Sequence, residues 1–181
     1  MAFNEYFQKM ENMGIVFSKG LDDNEIKQVE TLYNIKFPNI YKQFIQEKLP
    51  ISNGFYNWRD FSEKNVLYIS EIIDRPTKTL KDFWYEIDWY ENWGNIPLSE
   101  NDRKISIFNK IEKAPKIIPI YNHRYIPCIK DNPPILSIYG TDVIFYGKNL
   151  LDYLDNEFFN KELDNNLKNY DYIPFWSDLM E

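Results

Sequence analysis

The sequence predicts an α+β fold: a twisted, mainly antiparallel sheet with helices before it and one helix packed on it afterwards. Three observations carry that prediction. From Ile117 to Tyr146 the chain is dominated by Ile, Val, Tyr and Phe, side chains that fit a pleated, half-buried surface. Upstream of Pro115 the apolar residues recur instead at three- and four-residue spacing, the period of a helix. Past Gly147 that spacing returns in Leu151, Leu154 and Phe158, one apolar face able to cover the sheet.

In chain order, Phe3, Tyr6, Phe7 and Met10 outline a first amphipathic helix that Asn12-Met13-Gly14 ends. Asp22 with Glu25 three residues on has the pattern of a capping box, and Ile26, Val29 and Tyr33, with Leu32 beside them, mark the buried face of a second helix. Pro38 suits the first position of a third helix, where its missing N–H costs nothing. Ile40, Tyr41, Phe44 and Ile45 form its apolar side, Leu49-Pro50 stops it, and Ser52-Asn53-Gly54 reads as a turn. Val66, Ile69 and Ile73 share helical spacing in an element that Arg75-Pro76 is expected to close. Ser99 caps a further helix with Ile105, Phe108 and Ile111 on its core side.

The strand region is punctuated by prolines at 115, 119, 127, 133 and 134. Each lacks a ladder donor, so the strands should be short, bulged or at an edge. Gly140-Thr141 is a Gly-first pair suited to a tight hairpin, since glycine accepts a positive φ. Asn149 is placed to cap the helix from Leu150 to Phe159. Leu163 and Leu167 could extend or restart it, and the aromatic tail from Tyr170 to Met180 is too apolar to be assumed disordered.

At 181 residues the chain is read as one domain, residues 1–181, with a core at about 20–159 and a C-terminal extension at 160–181. No apolar run has the length of a membrane span, and the N-terminus lacks a basic region followed by an apolar one. A cytoplasmic location is expected, and the single cysteine, Cys128, fits a reducing compartment and a packing role. The formal charge is −7, and the stretch from Leu150 to Glu181, with eight acids against two bases, carries −6 of it. Such a field repels nucleic acid and attracts basic partners.

Catalytic signals are sparse. His123 is the only histidine; Ser137 lies within a strand pattern rather than a nucleophile elbow; no glycine-rich phosphate cradle or metal motif occurs. No catalytic residue, metal or cofactor is therefore assigned. His123 is expected to hydrogen-bond backbone near a turn, and Arg124 to pair with a carboxylate such as Asp142. The segment from Phe83 to Gly94 interleaves Trp84, Trp89 and Trp93 with Glu86, Asp88 and Glu91. Three readings stay open: the tryptophans pack under the sheet while the acids face water, the six residues bind a partner, or the acids work as a glycosidase pair beside sugar-stacking rings.

The run Ile117-Ile118-Pro119-Ile120-Tyr121-Asn122-His123-Arg124-Tyr125-Ile126-Pro127 resembles the "LIPIxGHRYxP" signature of the SUKH superfamily, in its Smi/Knr-type branch. Asn132 to Gly147 is similar to that family's "NPVxSVYxTDIIYYG", and Leu150 to Phe159 to its "dLxxYLxxEF". Trp58-Arg59-Asp60, Trp93-Gly94 and Ala114-Pro115 also stand where the family tends to have them. The chain departs in placing Asn122 where glycine is usual, a position at which Asn tolerates a left-handed backbone, and in its longer tail. The resemblance covers roughly residues 20–159. It implies the same order of helices and sheet, with His123, Arg124, Tyr125, Pro127, Tyr139, Asp142, Tyr146 and Gly147 as signature positions of structural use. It further implies a bacterial immunity protein that binds and neutralises a cognate toxin, often a nuclease and hence basic. The alternatives are a cell-wall-related regulatory scaffold and a carbohydrate-active enzyme built on residues 83–93.

Overall fold

A computed structural model describes residues 3–52, 54–129 and 131–180. The fold is α+β, with a two-stranded and a four-stranded antiparallel sheet among six α-helices in the described residues. Helix α1 (Asn4–Asn12) buries Phe7 and Met10, and Phe3 before it is fully enclosed. It ends as predicted: Gly14, at φ +88, donates to Glu11 while Ile15 donates to Met10, the paired bonds of a left-handed C-terminal cap. Helix α2 (Asp23–Leu32) starts from the predicted box, with Asp22 accepting from Asn24 and Glu25 and Glu25 accepting from the Asp22 N–H. Ile26 and Val29 face the core, but Leu32 turns out to solvent.

Between these helices and the sheet the sequence reading needs two corrections. Pro38 is extended (ψ 142) and caps helix α3 (Asn39–Glu47) from one residue outside it. Leu49-Pro50 does not merely stop that helix: Lys48–Pro50 is a strand, β2, paired with β1 (Phe17–Lys19) in the register Phe17↔Pro50. Three-residue strands leave no periodic signal, which is why they were illegible. The expected turn at 52–54 has its middle residue, Asn53, outside the described residues; Gly54 takes φ +93.

Helix α4 (Glu63–Asp82) runs straight past Pro76 instead of closing there. A proline inside a helix leaves the carbonyl four residues back without its amide donor. Here that carbonyl belongs to Ile72, and the Tyr125 hydroxyl reaches it at 3.4 Å from the sheet. Pro76 itself is buried, so packing and a borrowed donor offset what the backbone loses. Helix α5 (Glu100–Lys113) is capped by Ser99 as expected, yet its core face is Ile107 and Ile111, with Ile105 half exposed.

The main sheet has the order β3-β4-β5-β6, from Ile117–Tyr121, Arg124–Pro127, Ile135–Tyr139 and Asp142–Gly147. All neighbours are antiparallel. Pro119 lies on the edge strand β3, beside a register shift between Pro119 and Tyr121. The two tight turns use the residues that permit them: Asn122 at φ +47 and Gly140 at φ +66. Helix α6 (Leu150–Phe158), capped by Asn149, packs on β6 and buries Leu154 to 1% exposure. Gly147 permits that approach, because a Cβ there would lie 2.6 Å from the Tyr153 backbone nitrogen.

The hydrophobic core extends beyond 20–159 at both ends. Phe3, Phe7 and Met10 belong to it, as do Tyr170, Ile173, Phe175 and Trp176. Tyr170 stacks on Phe145 with centroids 4.4 Å apart, and the Trp176 indole donates to the Pro115 carbonyl at 2.9 Å. Leu163 and Leu167 restart only a single 3-10 turn, Leu167–Asn169.

Candidate functional site

Arg124 opens β4 within the signature run, and it is 9% exposed. Its Nε donates to Glu157 on α6 at 2.9 Å, its Nη1 to the Ser137 hydroxyl at 2.8 Å, and its guanidinium lies 3.7 Å over the Tyr146 ring. The expected Asp142 pairing is not made. Across the sheet Arg124 faces Ser137 and Ser137 faces Ile144, so Asp142 lies two residues toward the hairpin tip while Tyr146 and α6 lie the other way. The partner is thus chosen by a helix that arrives after the sheet. Arg124 ties β4, β5, β6 and α6 together.

His123 occupies the β3–β4 turn and is exposed. Its ring meets the Arg124 Nη1 rather than backbone, and it lies edge-on to Tyr139 at 6.0 Å. Partial burial, then the adjacent Arg124 charge, lower its pKa from the ordinary value, which favours a neutral ring. Its own carbonyl accepts from the Ile138 amide. Cys128 is half-buried, and burial pushes its thiol up to about 11, the opposite of an activated nucleophile. Tyr125 and Pro127 are buried in β4. Among the described residues no three His, Cys, Asp or Glu side chains group as a metal ion would need.

The aromatic–acid segment divides by role. Trp84, Trp89 and Trp93 are each half-buried, and Glu86, Asp88 and Glu91 are exposed. The tryptophans pack at the C-terminal segment and α5 rather than under the sheet. Trp93 stacks on Phe175 with centroids 6.1 Å apart, and Trp89 meets Trp93 edge-on while donating to the Gly94 carbonyl at 2.8 Å. The Lys104 ammonium stands 5.7 Å over Trp84. Asp178, 3% exposed, accepts from the Trp93 indole (2.7 Å), the Asn92 amide (2.6 Å) and the Tyr172 hydroxyl (2.7 Å). Sequence reading missed Asp178; its only signal was a carboxylate set within an aromatic tail.

The two acidic regions, the C-terminal stretch and the 83–94 segment, differ in geometry. Along the C-terminal stretch five acids are engaged internally: Asp152 and Asp155 with Lys161, Glu157 with Arg124, Asp164 with Lys148, and Asp178 as above. Among the described residues Glu86, Asp88, Glu91 and Asp142 form no ion pair, and Glu86 accepts only from the Thr141 hydroxyl at 3.2 Å. Arg103 reaches this segment but donates to the Ile87 carbonyl at 2.7 Å. A glycosidase acid needs a desolvated carboxyl; these carboxylates face water.

No family model, curated protein or solved structure matches the chain. The likeness to the SUKH signature rests on the motif residues alone. Among the described residues no helix is long and apolar enough to cross a membrane.

Proposed function

We propose that the protein is a non-catalytic, cytoplasmic immunity protein of the SUKH type, which neutralises a basic toxin domain by one-to-one binding. The single observation that supports this most is the contrast in charge: among the described residues Glu86, Asp88 and Glu91 are exposed without a cation partner beside Trp84 and Trp89, whereas Asp152, Asp155, Glu157, Asp164 and Asp178 of the C-terminal stretch have partners within the chain. Unpaired surface acids steer a basic protein and set its orientation, and adjacent aromatics slow its departure. A nuclease must itself be basic to hold phosphates, so it meets both requirements. Trp93 supports the surface from behind, through Phe175 and Asp178, rather than contacting the partner.

The test is capture of the partner from the cells that make this protein, followed by titration to a defined stoichiometry. A one-to-one complex that silences the partner's activity is the expected result. Association should slow as salt rises, because exposed charges are screened beyond about 8–10 Å at physiological ionic strength. Replacing Glu86, Asp88 and Glu91 by Gln, Asn and Gln should flatten that salt dependence. Turnover of a glycan by the purified protein, or a partner bound without inhibition, would overturn the assignment.

A further inference from the structure

The β5–β6 hairpin tip contains the most exposed aromatic of the signature. Tyr139 is 78% exposed, although it lies at the end of a strand whose other four residues are buried. Asp142 is paired directly opposite it, is exposed, and has no ion-pair partner among the described residues. Ile144, on the same face of β6, is 41% exposed. The tip is also next to the aromatic–acid segment, since the Thr141 hydroxyl touches Glu86 across 55 residues of sequence. Tyr85, beside Glu86, is 58% exposed.

We propose that the hairpin tip and the 85–91 segment form one composite docking surface for a lysine- and arginine-rich face of a folded protein, with Tyr139 as its anchor and Glu86, Asp88, Glu91 and Asp142 around it. The inference rests on the binding function proposed above and specifies its surface. Tyrosine is a frequent hot-spot residue because a large ring with few rotatable bonds is cheap to immobilise. Tyr139 is further constrained by its strand pairing and by the His123 edge, itself in contact with Arg124. The neighbouring carboxylates select the occupant. A second copy of this chain would bring the same four acids and a net −7 against them, and nucleic acid would bring phosphates, so both meet repulsion.

The first measurement needs no partner: an NMR titration of the folded protein with a hexalysine peptide. The largest amide shifts should fall at Glu86, Asp88, Glu91 and Tyr139–Ile144, and should vanish at about 0.5 M salt, where screening lengths are only a few ångströms. Largest shifts at Asp152, Asp155 and Glu162 would overturn the proposal. The second uses the captured partner. Tyr139→Ala should speed dissociation by about tenfold or more, the loss of a hot spot, Asp142→Asn should slow association, and Leu67→Ala, at an exposed site on α4, should change neither. A partner bound and inhibited equally well by Tyr139→Ala would sink this surface and leave the immunity reading standing. If wild-type protein captures no partner, both fall together.

Discussion

Single residues supply the chain's least local bonds. Arg59 is the clearest: it donates to both oxygens of Glu25, to the Lys19 and Gly20 carbonyls and to the Ser18 hydroxyl. It thereby joins the start of α2 to β1, while the neighbouring Trp58 packs between Tyr33 and Phe37. The guanidinium, helped by the Asp22 amide, holds the Glu25 carboxyl down at about 2 instead of its ordinary 4.5. A lowered folded-state pKa gives stability that is present above the unfolded value and lost as pH falls through the folded one. Thermal stability should therefore decline between pH 4.5 and about 2, and Glu25→Gln should reduce that slope in melting experiments; Asp164, a second carboxyl held at about 2 chiefly by Lys148, and the lowered Asp60 and Asp152 carboxyls contribute to what is left. Tyr125 offers a second test. Tyr125→Phe removes the donor to the Ile72 carbonyl and should cost about 1 kcal/mol, the low end for a buried group left unpaired, given a 3.4 Å contact. In a Pro76→Ala background, where the helix regains its own donor, the same change should cost less; equal costs would show that the two are uncoupled.

At the scale of elements, the contact between β6 and α6 determines how the sheet is closed. Leu154 is buried at 1% exposure, and Leu154→Ala should destabilise the protein by about 2–5 kcal/mol in denaturant titration, the range for a core leucine whose cavity does not collapse. Gly147→Ala acts on the same contact from the other side. Its methyl would meet the Tyr153 backbone, not a movable side-chain end, so α6 must shift, at a cost of about 1–3 kcal/mol. That shift should also lengthen the Arg124–Glu157 pair and raise amide exchange in α6.

On the scale of the molecule, the C-terminal segment is part of the core and of the candidate surface's foundation. Removing residues 170–181 would strip Phe145 of its Tyr170 stack, free the Pro115 carbonyl and take the Asp178 acceptor from Asn92 and Trp93. The truncated chain should melt at lower temperature with reduced cooperativity, and Trp89 and Trp93 should become accessible to a soluble fluorescence quencher. Unchanged melting and quenching would show that the tail is dispensable. Asp178→Asn is the milder probe, since it keeps the volume and weakens the acceptor to the Trp93 indole.

The α+β class, the sheet from Ile117 to Tyr146, its two tight turns and the caps at Asp22, Ser99 and Asn149 were legible in the amino-acid order, because each depends on neighbours within a few residues. Composition and short-range spacing report those local preferences directly. The same spacing misplaced Leu32 and Ile105 on buried faces and ended a helix at Pro76. The strand pair β1–β2, the donor that lets α4 pass Pro76, the choice of Glu157 over Asp142 by Arg124, and the capture of Trp93 by Asp178 were decided only in three dimensions. The candidate surface divides the same way. Glu86, Asp88 and Glu91 could be named from the sequence, but which acids stay unpaired depends on where every lysine and arginine lands. Charge is additive along a chain, whereas ion pairing is a property of distance, and distance belongs to the fold.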